Sequence, residues 1–128
     1  MMSGFKEDYI TTEIGQIHFY TIGNGPPVLL LHGYPQCSLM WKETALILSQ
    51  SYTTIIPDLR GYGNSATPKG LDDHSNYSKR AMALDMIHVM DHLGIEKFSI
   101  VGHDRGGRVG HRLSRDHRDR VKALSVLD

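Results

Sequence analysis

The stretch IVGHDRGGRV, residues 100–109, places one glycine two residues before Asp104 and another two residues after it. It begins with apolar residues typical of a strand and continues into a segment with helical spacing. Glycines at these two positions permit a sharp strand-to-helix turn whose central side chain stands clear of the sheet, at the N-terminus of the helix. Because the helix dipole stabilises a carboxylate there, we expect Asp104 to be ionised at neutral pH. An ionised carboxylate can attack an electrophilic carbon and form an ester.

Other interpretations of this stretch differ in how well they fit. A glycine-rich turn in which Asp104 only caps the helix is consistent with the same residues. A dinucleotide-binding loop needs the pattern G-x-G-x-x-G, whereas the glycines here stand at positions 102, 106 and 107. A phosphate-binding P-loop needs Gly-Lys followed by Ser or Thr, and the sequence contains no such run.

The rest of the chain predicts an α/β fold. We predict strands over residues 9–14, 17–22, 28–31, 52–56, 98–101 and 121–127, and helices from Ser38 to about 50, over 77–93 and over 105–116. The first two strands, with a turn at Gly15-Gln16, form an antiparallel hairpin. After them strands alternate with helices, which indicates a doubly wound, mostly parallel sheet. Residues 1–128 then form one domain, or part of one, with an ordered loop over 59–76.

Composition excludes several classes of protein. The 14 Lys and Arg balance 14 Asp and Glu, so the basic excess of a nucleic-acid-binding protein is missing. No apolar run approaches the roughly 18 residues of a membrane span, and the N-terminus has no signal-peptide pattern. The single cysteine indicates a reducing, cytoplasmic compartment. We expect no metal, because His111 and His117 beside Asp116 match no compact metal site.

A second motif, LHGYP at residues 31–35, directly follows a predicted buried strand. A loop there can direct the backbone N–H of Tyr34 toward the point reached by the N–H of Arg105. Two such donors would form an oxyanion hole for a tetrahedral intermediate. The alternative is a plain Gly-Pro turn. For His32 we favour a structural role, in which its ring satisfies backbone groups.

Two arginines follow Asp104 at a spacing of one helical turn. Arg105 and Arg108 can therefore lie on one face of the helix, and their guanidinium groups could bind a small carboxylate beside Asp104. The alternative is a pair of solvated arginines, or an ion pair between Arg108 and a nearby acid.

Three motifs in this order carry a resemblance to a known family: HGYP at 32–35, DLRGYGNS at 58–65 and GHDRGGR at 102–108. They resemble the N-terminal part of the α/β-hydrolase fold, in the Asp-nucleophile branch of haloalkane dehalogenases and epoxide hydrolases. Arginine at both 105 and 108 is most similar to haloacetate (fluoroacetate) dehalogenases, since most members of the other two groups carry Trp at position 105. The resemblance covers essentially the whole chain.

The resemblance implies a mechanism and roles for individual residues. Asp104 attacks the halogen-bearing carbon of a short 2-haloacid and forms an ester, while Arg105 and Arg108 hold the carboxylate. Asp128, at the end of the last strand, corresponds to the acid that orients a catalytic histidine; without the resemblance it would be an ordinary polar residue ending a strand. The small-molecule substrate is the only ligand implied, with no cofactor.

The family's catalytic histidine and helical cap lie beyond the strand at 121–127, so we expect this chain alone to be inactive or limited to one turnover. That strand is apolar on both faces and would form an exposed sheet edge. We therefore expect a fragment whose edge is covered by a homodimer partner or a complementing C-terminal segment. Epoxide hydrolysis and a non-catalytic remnant or interaction module remain alternatives. Six histidines are placed away from the carboxyl edge of the sheet: His18, His74, His88, His92, His111 and His117.

Overall fold

A computed structural model describes residues 4–69 and 77–127. Six strands form one sheet in the order β1-β2-β4-β3-β5-β6. The β1–β2 and β2–β4 pairs are antiparallel and the remaining pairs are parallel, which confirms the predicted fold class. The strands are β1 Lys6–Thr12, β2 Gly15–Ile22, β3 Pro27–Leu31, β4 Thr53–Pro57, β5 Phe98–His103 and β6 Val121–Leu127. A 3-10 helix spans Ser38–Trp41, and the α-helices are α1 Lys42–Leu48, α2 Lys79–His92 and α3 Arg105–Asp116.

Strand β3 is apolar on both faces because helices cover both faces of the sheet. Leu29 and Leu31 belong to the larger core, which includes buried residues of α2 and α3. Val28 and Leu30 alternate with them and pack in the smaller core with Trp41 and Ala45 on the opposite face. This alternation is the period of two that a strand imposes on its side chains. The continuous apolar run at 28–31 therefore has a structural cause.

The N-terminal hairpin is present, but the predicted position of its turn, at Gly15-Gln16, was wrong. Strand β1 begins at Lys6 and ends at Thr12, and Gly15 already pairs with Thr12 at the start of β2. The turn lies at residues 13–14, where the Ile14 N–H donates to Thr12 Oγ1 at 3.3 Å. Ile14 packs partly buried against the larger core. Because Ile14 is apolar, the sequence pattern predicted that the strand continues through this turn residue.

The prediction that Ser38 caps a helix reaching residue 50 was also wrong. Ser38 lies inside the 3-10 helix, and α1 ends at Leu48. The backbone N–H of Ser38 donates to Asp58 Oδ1 at 2.7 Å, so this turn is held by a distant carboxylate. The contact spans 20 residues of sequence and follows no local pattern.

Helix α2 begins two residues later than predicted and ends with a recognisable capping motif. Ser78 is its N-cap, with Oγ accepting from the Ala81 N–H at 3.1 Å. At the other end the Ile95 N–H donates to the Met90 carbonyl at 2.9 Å and the Gly94 N–H to the Asp91 carbonyl at 3.0 Å. This pair of bonds is the Schellman arrangement that the glycine after the helix predicts.

A buried ion pair connects the loop after β4 to α2. The Nε and Nη2 atoms of Arg60 donate to the two carboxylate oxygens of Asp85 at 2.9 and 2.8 Å. Burial raises the pKa of Asp85, while the Arg60 guanidinium acts in the opposite direction. The fork-to-carboxylate geometry fixes the orientation of the loop at residues 59–65. The predicted ordered loop is thus confirmed for its described part, and residues 70–76 lie outside the described residues.

The last two described elements match their predicted bounds, α3 at Arg105–Asp116 and β6 at Val121–Leu127. Within residues 4–69 and 77–127, β6 pairs with β5 alone, and most of its side chains are exposed. Val126 and Leu127 are 54% and 46% exposed. The expectation that a partner covers this edge stays a prediction. No described helix is both long and apolar enough to cross a membrane.

Helix α3 approaches the end of β3 so closely that Gly106 has no room for a side chain. A Cβ at Gly106 would lie 2.2 Å from the Leu31 carbonyl oxygen and 2.5 Å from that of His32. At Gly110, one turn further along α3, a Cβ would instead meet side-chain methyl groups of Leu124 and Ile100 at 3.0 and 3.1 Å. The contact at Gly106 is with backbone oxygens at a prohibitive distance, whereas the contact at Gly110 requires side-chain methyl groups to shift by only a few tenths of an ångström.

We therefore expect Gly106→Ala to lower the free energy of unfolding by about 3 kcal/mol or more, because α3 must move away from β3. Gly110→Ala should change it by no more than about 1 kcal/mol, since alanine's helix propensity offsets mild crowding. Urea denaturation followed by far-UV circular dichroism measures both. Equal losses in the two variants would show that the approach of α3 to β3 is not the constraint we describe.

Candidate active site

The centre of the site is the turn between β5 and α3. Asp104 is the residue before α3 and has φ 53° and ψ −115°, a positive φ in a residue other than glycine. Such a conformation costs on the order of 1–3 kcal/mol and persists only where surrounding contacts enforce it. Here the Asp104 N–H donates to the Leu127 carbonyl at 3.1 Å, and the Arg108 N–H donates to the Asp104 carbonyl at 3.2 Å. The side chain is exposed at the carboxyl edge of the sheet.

The loop after β3 brings a backbone donor to the Asp104 carboxylate. The Tyr34 N–H donates to Asp104 Oδ2 at 3.2 Å. Gly33 permits this approach, since a Cβ there would lie 2.6 Å from the Cβ of Asp104. The Tyr34 hydrogen bond lowers the pKa of Asp104, and the Arg105 N–H and the Arg108 charge lower it further. The structure thus brings together the two N–H groups that the sequence predicts at this point.

Arg105 is held against two tyrosines. Its Nη1 donates to the Tyr62 hydroxyl at 3.2 Å, and its Cζ lies 4.9 Å from the centre of the Tyr34 ring. The two rings meet edge to face, with centroids 6.3 Å apart and planes at 79°. The HGYP and DLRGYGNS motifs therefore converge on the guanidinium group that follows Asp104. Tyr62 stands in the quoted motif, but no spacing rule distinguishes it from the glycines around it.

Arg108 faces an open groove beside Asp104. The groove has a volume of about 500 Å³ and is lined by Asp104, Gly107, Arg108, His111, Val126 and Leu127. Its lining combines cationic and apolar groups next to the carboxylate. His111 lies two turns further along α3 than Asp104, away from the carboxyl edge of the sheet, and lines the same groove.

Lys79 is a further cation near the site that the sequence pattern does not indicate. It begins α2 and is half-buried. Burial lowers the pKa of Lys79, and the positive charges of Arg105 and Arg108 lower it further, while Asp104 opposes the change. The start of α2 thus adds positive potential near Asp104.

His32 has the structural role that the sequence predicts, because its ring contacts backbone groups of two loops beside the site. Its ring is buried, and burial lowers its pKa, so it is neutral near pH 7. Nδ1 lies 2.9 Å from the Gly33 carbonyl, and Nε2 accepts from the Leu59 N–H at 2.9 Å. The ring therefore joins the loop that carries Tyr34 to the loop that carries Tyr62, and both of its nitrogens are occupied.

Asp58 is the second support of these loops. Burial raises its pKa, but hydrogen bonds from the N–H groups of Ser38 and Asn64 outweigh that effect and lower it. Asp58 Oδ2 also lies 2.7 Å from His18 Nδ1, whose other ring nitrogen is 2.6 Å from Glu7 Oε2. A connected series of contacts therefore runs from β1 through β2 and Asp58 to the segment beside Tyr34.

Asp128 lies outside the described residues, so its predicted role as the orienting acid stays a prediction. His103 precedes Asp104, and its Nδ1 is buried without a hydrogen-bond partner among the described groups. Within the described part of the chain, no group of three or more His, Cys, Asp or Glu could hold a metal ion.

Comparison with known proteins assigns the fold family. The family model of the alpha/beta hydrolase fold matches residues 26–128. A fluoroacetate dehalogenase from Burkholderia sp is 49% identical over 128 residues, which is 100% of this chain and 42% of the dehalogenase. A soluble epoxide hydrolase from Corynebacterium sp. (strain C12) is 40% identical over 113 residues, covering 88% of this chain and 38% of that enzyme.

Solved structures agree with these relatives. The chain superposes on a crystal structure of an alpha/beta hydrolase candidate from Nostoc sp PCC 7120 with a TM-score of 0.96 and 48% identity, over 100% of this chain and 44% of that one. The chain therefore spans less than half the length of these relatives. The resemblance drawn from the three motifs is confirmed: the chain belongs to the alpha/beta hydrolase fold family.

Proposed function

We propose that this chain carries the nucleophile of a hydrolase of the haloacetate dehalogenase type. The observation that carries the proposal is the exposed Asp104 carboxylate, held by the Tyr34 N–H and flanked by Arg105 and Arg108. The arrangement favours a small substrate that is itself an anion. The 49% identity to a fluoroacetate dehalogenase supports the same substrate class.

In the first step one carboxylate oxygen of Asp104 attacks the α-carbon of a 2-haloacid in line with the carbon–halogen bond. A carbon–oxygen bond forms, and the halide leaves with the electron pair of the broken bond. Arg105 and Arg108 hold the substrate carboxylate by charge-assisted hydrogen bonds, which orients the α-carbon toward Asp104. The lowered pKa of Asp104 keeps it in the reactive, ionised form.

In the second step water attacks the carbonyl carbon of the Asp104 ester, which releases the hydroxyacid and regenerates the carboxylate. Negative charge then develops on the ester carbonyl oxygen. The N–H groups of Tyr34 and Arg105 lie beside the Asp104 carboxylate and supply the oxyanion hole that we propose. Water needs a general base, and both nitrogens of the nearby His32 are already occupied. We therefore expect the ester to accumulate on this chain.

Epoxide hydrolysis is the second candidate, because a soluble epoxide hydrolase is 40% identical over most of the chain. Attack of Asp104 on an epoxide carbon also gives an ester, but the ring oxygen must be protonated as the carbon–oxygen bond opens. An uncharged epoxide would make no use of two guanidinium groups beside the nucleophile. The structure therefore favours the haloacid.

Alkylation of Asp104 tests the proposal directly. Because the free thiol of Cys37 also reacts with haloacids, the experiment uses a Cys37→Ser background. Incubation with chloroacetate should add one carboxymethyl group to Asp104, detected by intact-mass measurement and located by peptide mapping. Arg105→Gln and Arg108→Gln should each slow the addition about 10- to 100-fold, the loss of a charge-assisted hydrogen bond. Arg115→Gln, at an exposed position at the other end of α3, is the matched control.

Asp104→Asn should abolish the addition, and equal labelling of this variant would show that the reaction is non-specific. Labelling by styrene oxide but not by chloroacetate would favour the epoxide reaction. A chain labelled by neither reagent would be the non-catalytic remnant.

The pH dependence follows from the lowered pKa of Asp104. We expect the rate of alkylation to stay constant from neutral pH to below the ordinary aspartate pKa of about 3.9, and to fall only as Asp104 becomes protonated. The stability of the fold depends on pH in the same direction. The lowered pKa of Asp104 stabilises the folded state above the unfolded-state pKa, and this stabilisation is lost as the pH falls through the folded-state pKa. The Tyr34 amide proton signal should titrate with Asp104 in NMR spectra, and Asp104→Asn should remove that titration. A midpoint above the ordinary value would contradict the assignment.

A further inference from the structure

We propose that Tyr62 is a positioning residue for the anion site: its hydroxyl fixes the Arg105 guanidinium beside Asp104 and so sets the affinity for the substrate carboxylate. The inference rests on the proposed function, which it deepens by adding a residue that determines how an anionic substrate is held. Neither the motif spacing nor the predicted oxyanion hole gives the Tyr62 side chain a role.

The first argument is the geometry of Arg105. A guanidinium group is planar and directs its five N–H donors outward within that plane. The Cζ of Arg105 lies over the Tyr34 ring, 4.9 Å from its centre, and the Tyr62 hydroxyl accepts one donor from Nη1 at 3.2 Å. The ring contact and the hydrogen bond hold the guanidinium group at two points and so restrict its orientation. The remaining donors are then presented in fixed directions, as bidentate binding of a carboxylate requires.

The second argument is that Tyr62 is itself held rigidly. Its N–H donates to the Leu59 carbonyl at 2.9 Å, and its carbonyl accepts from the Ser65 N–H at 3.1 Å. Its ring packs edge to face on the buried ring of His32, with centroids 5.2 Å apart. The Arg60–Asp85 ion pair anchors the same loop to α2. The hydroxyl is therefore a fixed point, whereas an arginine side chain alone has many rotamers.

The third argument is the exposure of the group that Tyr62 holds. Arg105 is exposed and Tyr34 is 60% exposed. Hydrogen bonds and cation–π contacts of an exposed arginine contribute little to folding stability. Ordering this side chain before a ligand arrives instead reduces the entropy lost on binding. The arrangement thus acts on ligand affinity more than on the fold.

Tyr62→Phe tests the inference, because it removes the hydroxyl and keeps the ring. The matched control is Tyr52→Phe, which makes the same change at an exposed tyrosine in the segment before β4. Both are made in the Cys37→Ser background and checked for an unchanged fold by NMR amide spectra. Titration with sodium acetate at constant ionic strength gives the dissociation constant of a carboxylate that cannot react. The ¹⁵N signals of the Arg105 side chain report independently on its mobility.

We expect Tyr62→Phe to weaken acetate binding about fivefold, the effect of one net hydrogen bond, and to increase the mobility of the Arg105 guanidinium. With chloroacetate, the concentration for half-maximal alkylation rate should rise by the same factor, while the rate at saturation stays unchanged. Tyr52→Phe should alter neither quantity. In an Arg105→Gln background Tyr62→Phe should have no further effect, since its target is gone.

Two results would overturn the inference in different ways. Unchanged acetate binding in Tyr62→Phe, with binding intact in the parent chain, would remove Tyr62 from the site and leave the proposed function standing. No acetate binding by the parent chain would overturn both the carboxylate site and the role of Tyr62 within it.

Discussion

The geometry of the site depends on the close contact between the start of α3 and the end of β3. Gly106 lies against the carbonyl groups of Leu31 and His32, so α3 begins in direct contact with the end of β3. Asp104, the residue before α3, then completes the turn at a positive φ. The same contact brings the loop after β3 alongside the turn, where Tyr34 can donate to the carboxylate. The strained conformation of Asp104 and the position of the Tyr34 N–H thus both follow from the close packing of α3 against β3.

Buried charged groups are paired within the protein, whereas the charged groups of the candidate site are exposed. Arg60 and Asp85 neutralise one another inside the protein, and Asp58 is surrounded by backbone donors. Asp104, Arg105 and Arg108 lie at the surface. Desolvation makes the inner groups intolerant of losing a partner. The outer groups would attract the small anion that we propose as the substrate, and the half-buried Lys79 would add to this attraction.

Local patterns predicted those parts of the fold whose cause is local. The bounds of α3 and β6 follow from glycine spacing and from an apolar run, and the Schellman ending of α2 follows from Gly94. Elements held by distant partners were mispredicted. The turn at Ser38 depends on Asp58, which is 20 residues away. The hairpin turn was misplaced because Ile14 is a turn residue that also packs against the core. Within the site, the backbone donors could be predicted from the motifs. The Tyr62–Arg105 hydrogen bond joins residues 43 apart in the sequence, so it became evident only in the three-dimensional structure.

The contacts from Glu7 through His18 to Asp58 give the outermost strand an influence on the centre of the molecule. Edge strands near a chain terminus are usually the first part of a sheet to fray. Here fraying of β1 would withdraw a carboxylate from the ring of His18, whose other nitrogen faces the same Asp58 that anchors Ser38. A bulky fusion partner or a clipped N-terminus would therefore disturb more than the surface it touches, because the disturbance would reach the backbone a few residues from Tyr34.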